Sequence, residues 1–143
     1  MSQRPTAIGD VLGLHGLRVL LVEDDFDSSE VVSAILEDSG ILVTIAHNAE
    51  VALELLGRQP IDVILSDVGL PGQDGYAFIR AVRSVPALGA IPAAAVTAYA
   101  HAEDRRRALD AGFQVHLRKP FDQSELLTVI GDLAKLSPKR PPA

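Results

Sequence analysis

Five short, mostly apolar runs recur along the chain, each followed by apolar residues at helical spacing, and this alternation restricts the fold more than any other feature. The runs are Val19–Val22, Ile41–Ala46, Ile61–Leu65, Ile91–Val96 and Val115–Leu117. A strand that is apolar on both of its faces must be covered on both faces, which is the condition of a parallel sheet between helical layers. The intervening segments supply those layers. Val31, Val32, Ile35 and Leu36 share one helical face, as do Val51, Ala52, Leu55 and Leu56, and Tyr76, Phe78, Ile79 and Val82. A charged helix over 101–111 and an apolar one carrying Leu126, Leu127, Val129, Ile130, Leu133 and Leu136 complete the set. Punctuation agrees: Asp27 with Ser28, Asn48, Asp74 and Asp122 stand where N-caps belong, and Gly40, Pro60 and Gly112 stand where helices stop. Right-handed crossovers between such units predict a doubly wound α/β fold with a five-stranded parallel sheet.

At 143 residues the chain has room for one such domain. The expected unit is 17–136. Residues 1–16, with Gly9, Gly13 and Gly16 among apolar residues, read as a linker or N-terminal extension. Residues 137–143 (SPKRPPA) read as a disordered tail. The absence of cysteine excludes disulfides, thiolate metal sites and thiol nucleophiles. A net charge of −6 argues against general nucleic-acid binding. With neither a membrane-length apolar run nor a signal-peptide core, a soluble cytoplasmic protein is expected.

In a parallel sheet all strands surface at one edge, where ligands bind. This chain places polar groups there: Glu23-Asp24-Asp25 after the first strand, Asp67 after the third, Thr97 after the fourth and Lys119-Pro120 after the fifth. If the first and third strands are neighbours, their carboxylates meet in one pocket and repel one another. A hard divalent cation such as Mg²⁺ relieves that repulsion with oxygen ligands. Asp67, followed by Gly69 and the Pro71-Gly72 turn, is then a candidate phosphorylatable nucleophile. Thr97 contributes a hydroxyl and Lys119 a positive charge for phosphoryl oxygens.

The stretches LLVEDD, SDVGLPGQDG, VTAY and RKPF, in this order over about residues 17–136, resemble the receiver domain of two-component response regulators. The resemblance implies a flavodoxin-like (βα)5 fold with strand order 2-1-3-4-5. It implies Asp67 as phosphoacceptor, Asp24 as the direct metal-binding acid, Glu23 acting through water, and Gly69 offering a backbone carbonyl to Mg²⁺. It further implies Thr97 as the switch hydroxyl, Lys119 as the lysine of the phosphoryl oxygens, and a cis Lys119-Pro120 bond. The implied function is to take a phosphoryl group from a histidine kinase or phosphotransfer protein and to signal downstream through the surface formed by the fourth helix, the fifth strand and the fifth helix. Such a chain is a switch rather than a metabolic enzyme, assisting only its own phosphorylation and dephosphorylation.

Two alternatives remain at this level: a Mg²⁺-dependent aspartyl-phosphate phosphohydrolase, or a pseudo-receiver that is not phosphorylated. The first needs an acid two residues after the nucleophile, where Gly69 stands; the intact Asp67, Thr97 and Lys119 count against the second. His116 occupies the position of the family's aromatic switch. It either turns as that aromatic does or is a partly exposed strand residue without a signalling role. Tyr99 is either a surface residue or a shield of the acyl phosphate. Asp25 reads as a solvated acid beside the site, and His47 and His101 as surface residues. Arg105-Arg106-Arg107, among Glu103, Asp104 and Asp110, read as a solvated face with i,i+4 pairs. The expected contexts are a stand-alone regulator, a phosphate shuttle or sink, or the receiver of a hybrid histidine kinase. His15-Gly16-Leu17-Arg18 resembles the lead-in to that last type.

Overall fold

A computed structural model describes residues 14–69, 74–98 and 101–138. Five strands, β1 (Arg18–Val22), β2 (Leu42–Ala46), β3 (Val63–Asp67), β4 (Ala93–Thr97) and β5 (Val115–Arg118), alternate with five helices. The helices are α1 (Phe26–Asp38), α2 (Ala49–Arg58), α3 (Gly75–Ser84), α4 (Ala102–Ala111) and α5 (Gln123–Ala134). The sheet is wholly parallel in the order β2-β1-β3-β4-β5, the order implied by the resemblance.

Successive residues of a strand face opposite sides of the sheet, so each apolar run divides between two cores. Leu20, Val22, Ile64, Ala93 and Ala95 pack with Ala52 and Leu56 of α2, Phe78, Ile79 and Val82 of α3, and Ala108 of α4. Val19, Leu21, Val63, Leu65, Ala94, Val96 and Leu117 pack with Leu36 of α1 and Leu126, Leu127, Ile130 and Leu133 of α5. The alanines of β4 let helices approach the middle of the sheet closely. Pro92 shortens that strand at its start because it has no N–H to donate, yet its carbonyl still accepts from Ile64 N at 2.9 Å.

Caps at Asn48, Asp74 and Asp122 stand as expected, and Asp122 with Glu125 forms a reciprocal capping box. The first helix is a correction. Its N-cap is Asp25, whose carboxylate accepts from Ser28 N at 2.8 Å, rather than Asp27 or Ser28. Asp25 is therefore a structural cap as well as a solvated acid. Gly40 ends α1 at φ +84, a backbone conformation that disfavours side chains. Leu14 is fully buried in the α1–α5 core and Gly16 N donates to Gly40 O at 2.8 Å, so the end of the N-terminal extension packs with the domain. Ser137, expected in the tail, is also buried. The turn residues Pro71 and Gly72, and Tyr99, lie outside the described residues.

One ion pair joins residues that no local sequence pattern connects. Asp62, 0% exposed, receives three bonds of 2.9 Å from Arg18, through its backbone N, Nε and an Nη. The pair clasps β1 to the lead-in of β3. Arg83 does similar work with neutral partners, donating to the carbonyls of Gly112, Gly89 and Ile91 and to the Gln114 side chain.

Candidate functional site

Adjacency of β1 and β3 brings their carboxyl ends together, with Val22 beside Ser66 in the register. The next residues, Glu23, Asp24 and Asp67, each offer a carboxylate oxygen lying within 4.8 Å of the others. Glu23 is buried, Asp67 half-buried and Asp24 exposed. From the end of β5, Lys119 Nζ reaches Glu23 Oε1 at 3.3 Å and Asp67 Oδ2 at 3.5 Å. The second distance is at the limit of a hydrogen bond, and the ammonium is shared between two acids rather than paired with one.

Electrostatics follow this arrangement. Burial holds the Glu23 carboxyl above its usual range, and the neighbouring Asp67 charge pushes the same way, against the Asp25 backbone N–H and Lys119. Burial pulls Lys119 down, but Asp67 and Glu23 together raise it above the ordinary lysine value. Three carboxylates around one ammonium leave excess negative charge in a partly buried place. An all-oxygen, carboxylate-rich donor set at this spacing fits a hard cation such as Mg²⁺.

Gly69 N donates to Asp67 Oδ1 at 3.0 Å, which ties the carboxylate to the backbone two residues on. Gly75 seals the underside: a Cβ there would lie 2.5 Å from Val68 Cα and 2.6 Å from Asp67 O. Gly75 closes the SDVGLPGQDG stretch, but its role, a close approach to the backbone of Asp67 and Val68, appears only once α3 is packed. Thr97, 2% exposed, ends β4, and its carbonyl accepts from Lys119 N at 2.7 Å, joining the ends of β4 and β5. The Lys119-Pro120 bond is cis.

Other residues depart from expectation. His47 is exposed but not idle, since its Nδ1 bonds the Glu23 carbonyl at 2.9 Å and its ring meets that of Phe26. It ties the end of β2 to the acidic tip of β1. Among the described residues no ion pair lies within α4; instead Arg107 stacks over Tyr76, its guanidinium carbon 4.3 Å from the ring centre. Arg107 thus links α4 to α3. His116 stands beside Ala95 in the β4–β5 register, half-buried, with Nε2 buried and without a hydrogen-bond partner. Burial lowers its pKa, favouring the neutral ring.

The family model described as "Response regulator receiver domain" matches residues 19–131. An uncharacterized 14.6 kDa protein in the sodA1 3' region of Leptolyngbya boryana is 44% identical over 117 residues, covering 82% of this chain and 89% of that protein. The probable transcriptional regulator ycf29 of Pyropia yezoensis is 36% identical over 116 residues, 81% of this chain but only 52% of the relative. The chain thus spans about half the length of the latter. Among solved structures, the receiver domain of the sensor histidine kinase PA1611 from Pseudomonas aeruginosa PAO1 is 35% identical, with a TM-score of 0.78 over 83% of this chain and 98% of that one. That structure holds a magnesium ion coordinated in its active-site cleft.

Proposed function

This chain belongs to the response regulator receiver family and has its phosphoacceptor signalling role; from that premise we propose how its own residues perform it. Asp67 is the acceptor. One of its carboxylate oxygens attacks the phosphorus of a phosphohistidine on a sensor histidine kinase or phosphotransfer protein. The P–N bond breaks, and the departing imidazole keeps the electron pair and takes up a proton. Lys119 neutralises charge on the phosphoryl oxygens and Thr97 donates its hydroxyl to one of them, which is positioning and charge stabilisation rather than covalent work. Asp24, Asp67 and the Gly69 carbonyl would hold Mg²⁺, with Glu23 acting through water. When bound, the ion neutralises the phosphoryl oxygens. The observation that carries this reading is the gathering of three carboxylates within 4.8 Å beside one shared lysine.

The seat of the donor is the apolar groove between α1 and the turn leading into α5, about 420 Å³ in volume, which opens onto Asp67. Val31, Val32, Ile35, Pro120 and Phe121 line it. Val31 is 61% exposed, apolar surface in want of a partner. The signal then leaves through α4, β5 and α5, where Thr97 reaches β5 through Lys119. The receiver assists only its own phosphorylation and hydrolysis. No helix of the described residues is long and apolar enough to cross a membrane; we assign the chain to the cytoplasm, where its donors carry their phosphohistidines.

Incubation with a small acyl-phosphate donor and Mg²⁺, followed by intact mass, tests the reading. The expected result is a gain of one phosphate that Asp67→Asn abolishes and Lys119→Ala strongly reduces. Phosphate gained equally by Asp67→Asn would overturn the assignment.

A further inference from the structure

We propose that the groove between α4 and β5 receives an acidic segment of a partner protein that carries an apolar residue among its carboxylates. This rests on the reading above of the α4-β5-α5 face as the output surface, and adds the chemistry of what binds there. The groove has a volume of roughly 680 Å³. Arg105 and Arg106 of α4 and Arg118 of β5 line it with the single acid Asp110. All three arginines are exposed and among the described residues none is ion-paired. The chain as a whole carries −6, so this groove is a cationic island on an acidic protein. Such an island attracts and orients an anionic partner.

Two further features separate a protein segment from other anions. Leu109, 45% exposed, lies in the same groove and offers an apolar anchor between the guanidinium groups. Among the described residues the imidazoles of His101 and His116 are the only aromatic rings that line it, a poor stacking platform for nucleic-acid bases. His116 provides the remaining contact. Its Nε2 is buried without a partner, a state that costs free energy until a group arrives to share the bond. A turn of the half-buried ring toward the groove is needed to offer that nitrogen, in its N–H tautomer, to a partner carboxylate beside Arg105 and Arg118.

The test uses the intact chain and short fluorescein-labelled peptides, one with a central leucine flanked by glutamates and one with lysines in their place. Anisotropy should rise with the glutamate peptide alone, and amide shifts should gather on Arg105, Arg106, Leu109, His116 and Arg118. The charge reversal R105E/R106E should weaken binding about a hundredfold. His116→Phe should weaken it about tenfold, while His116→Gln, which can still donate, retains most of it. Absence of binding, shifts elsewhere, or affinity indifferent to charge reversal overturns the proposal. So does a dimer in sedimentation that R105E/R106E dissolves, which would give the groove to a second copy of the chain. Intact mass of the same samples after acyl-phosphate treatment separates the two readings. A chain phosphorylated on Asp67 that ignores the peptide defeats this inference alone, whereas one that gains no phosphate defeats the phosphoacceptor assignment.

Discussion

Two clusters of charge sit at opposite ends of β1 and β3. At the start of the strands, Arg18 and Asp62 form a balanced pair: one cation and one anion joined by three bonds of 2.9 Å. At the finish, Glu23 and Asp67 share Lys119 at 3.3 and 3.5 Å with Asp24 beside them, more acid than base. The first satisfies a buried carboxylate and so holds the fold together. The second is unbalanced as it stands, and its imbalance is what gives it affinity for a cation and a phosphoryl group. Charge at one end is structure; at the other it is capacity.

The largest expected effect lies at the balanced end. Arg18→Met leaves the fully buried Asp62 carboxylate without its charge partner and should cost about 3 kcal/mol or more in urea unfolding, because an uncompensated buried charge is expensive. The phosphate gain of the folded fraction should be unchanged. Next comes Gly75→Ala, which forces a methyl into the backbone of Val68 and Asp67 and should cost about 1–3 kcal/mol. Unlike Arg18→Met, it should also slow phosphorylation, since the displaced backbone carries the acceptor. Retained phosphorylation in a destabilised Gly75→Ala would show that the loop tolerates the shift.

At the unbalanced end the sign reverses. With metal chelated, Glu23→Gln removes a repelling charge and should stabilise the protein at neutral pH, by on the order of 1 kcal/mol. The Glu23 carboxyl is raised in the folded state, chiefly by burial, so the fold binds its proton more tightly than the unfolded chain does. Relative to Glu23→Gln, the parent should therefore lose stability as pH rises from the ordinary glutamate range through the raised value. Parallel pH curves for the two proteins would contradict this. Arg107→Ala, which frees Tyr76 from its cation, should be the smallest change, within about 1 kcal/mol, seen in thermal unfolding.

The same contrast explains what could be read from the chain beforehand. Strand runs, caps at Asn48, Asp74 and Asp122, and the acids, Thr97 and Lys119 at strand ends are local patterns, and a parallel sheet converts local position into a shared edge. Arg18 and Asp62 stand 44 positions apart, and although Asp62 interrupts the Ile61–Leu65 run, nothing local to it names Arg18 as its partner. His47 looked like an isolated surface histidine because its partner is a backbone carbonyl, which carries no sequence signal. Gly75 and the Arg107–Tyr76 stack depend on how closely α3 approaches the Asp67 loop and α4, a matter of packing rather than of periodicity. Asp25 was misjudged by one turn boundary: three consecutive acids follow β1, and only geometry separates the two that face the site from the one that caps α1.

Calorimetric titration of the metal-free chain with Mg²⁺ tests the unbalanced cluster most directly. Saturable binding of one ion per chain is expected, abolished in Asp24→Asn and undisturbed in folded Arg18→Met. Binding that survives in Asp24→Asn, or no binding by the parent, would contradict the claim that the acids at the carboxyl ends of β1 and β3 form the functional site.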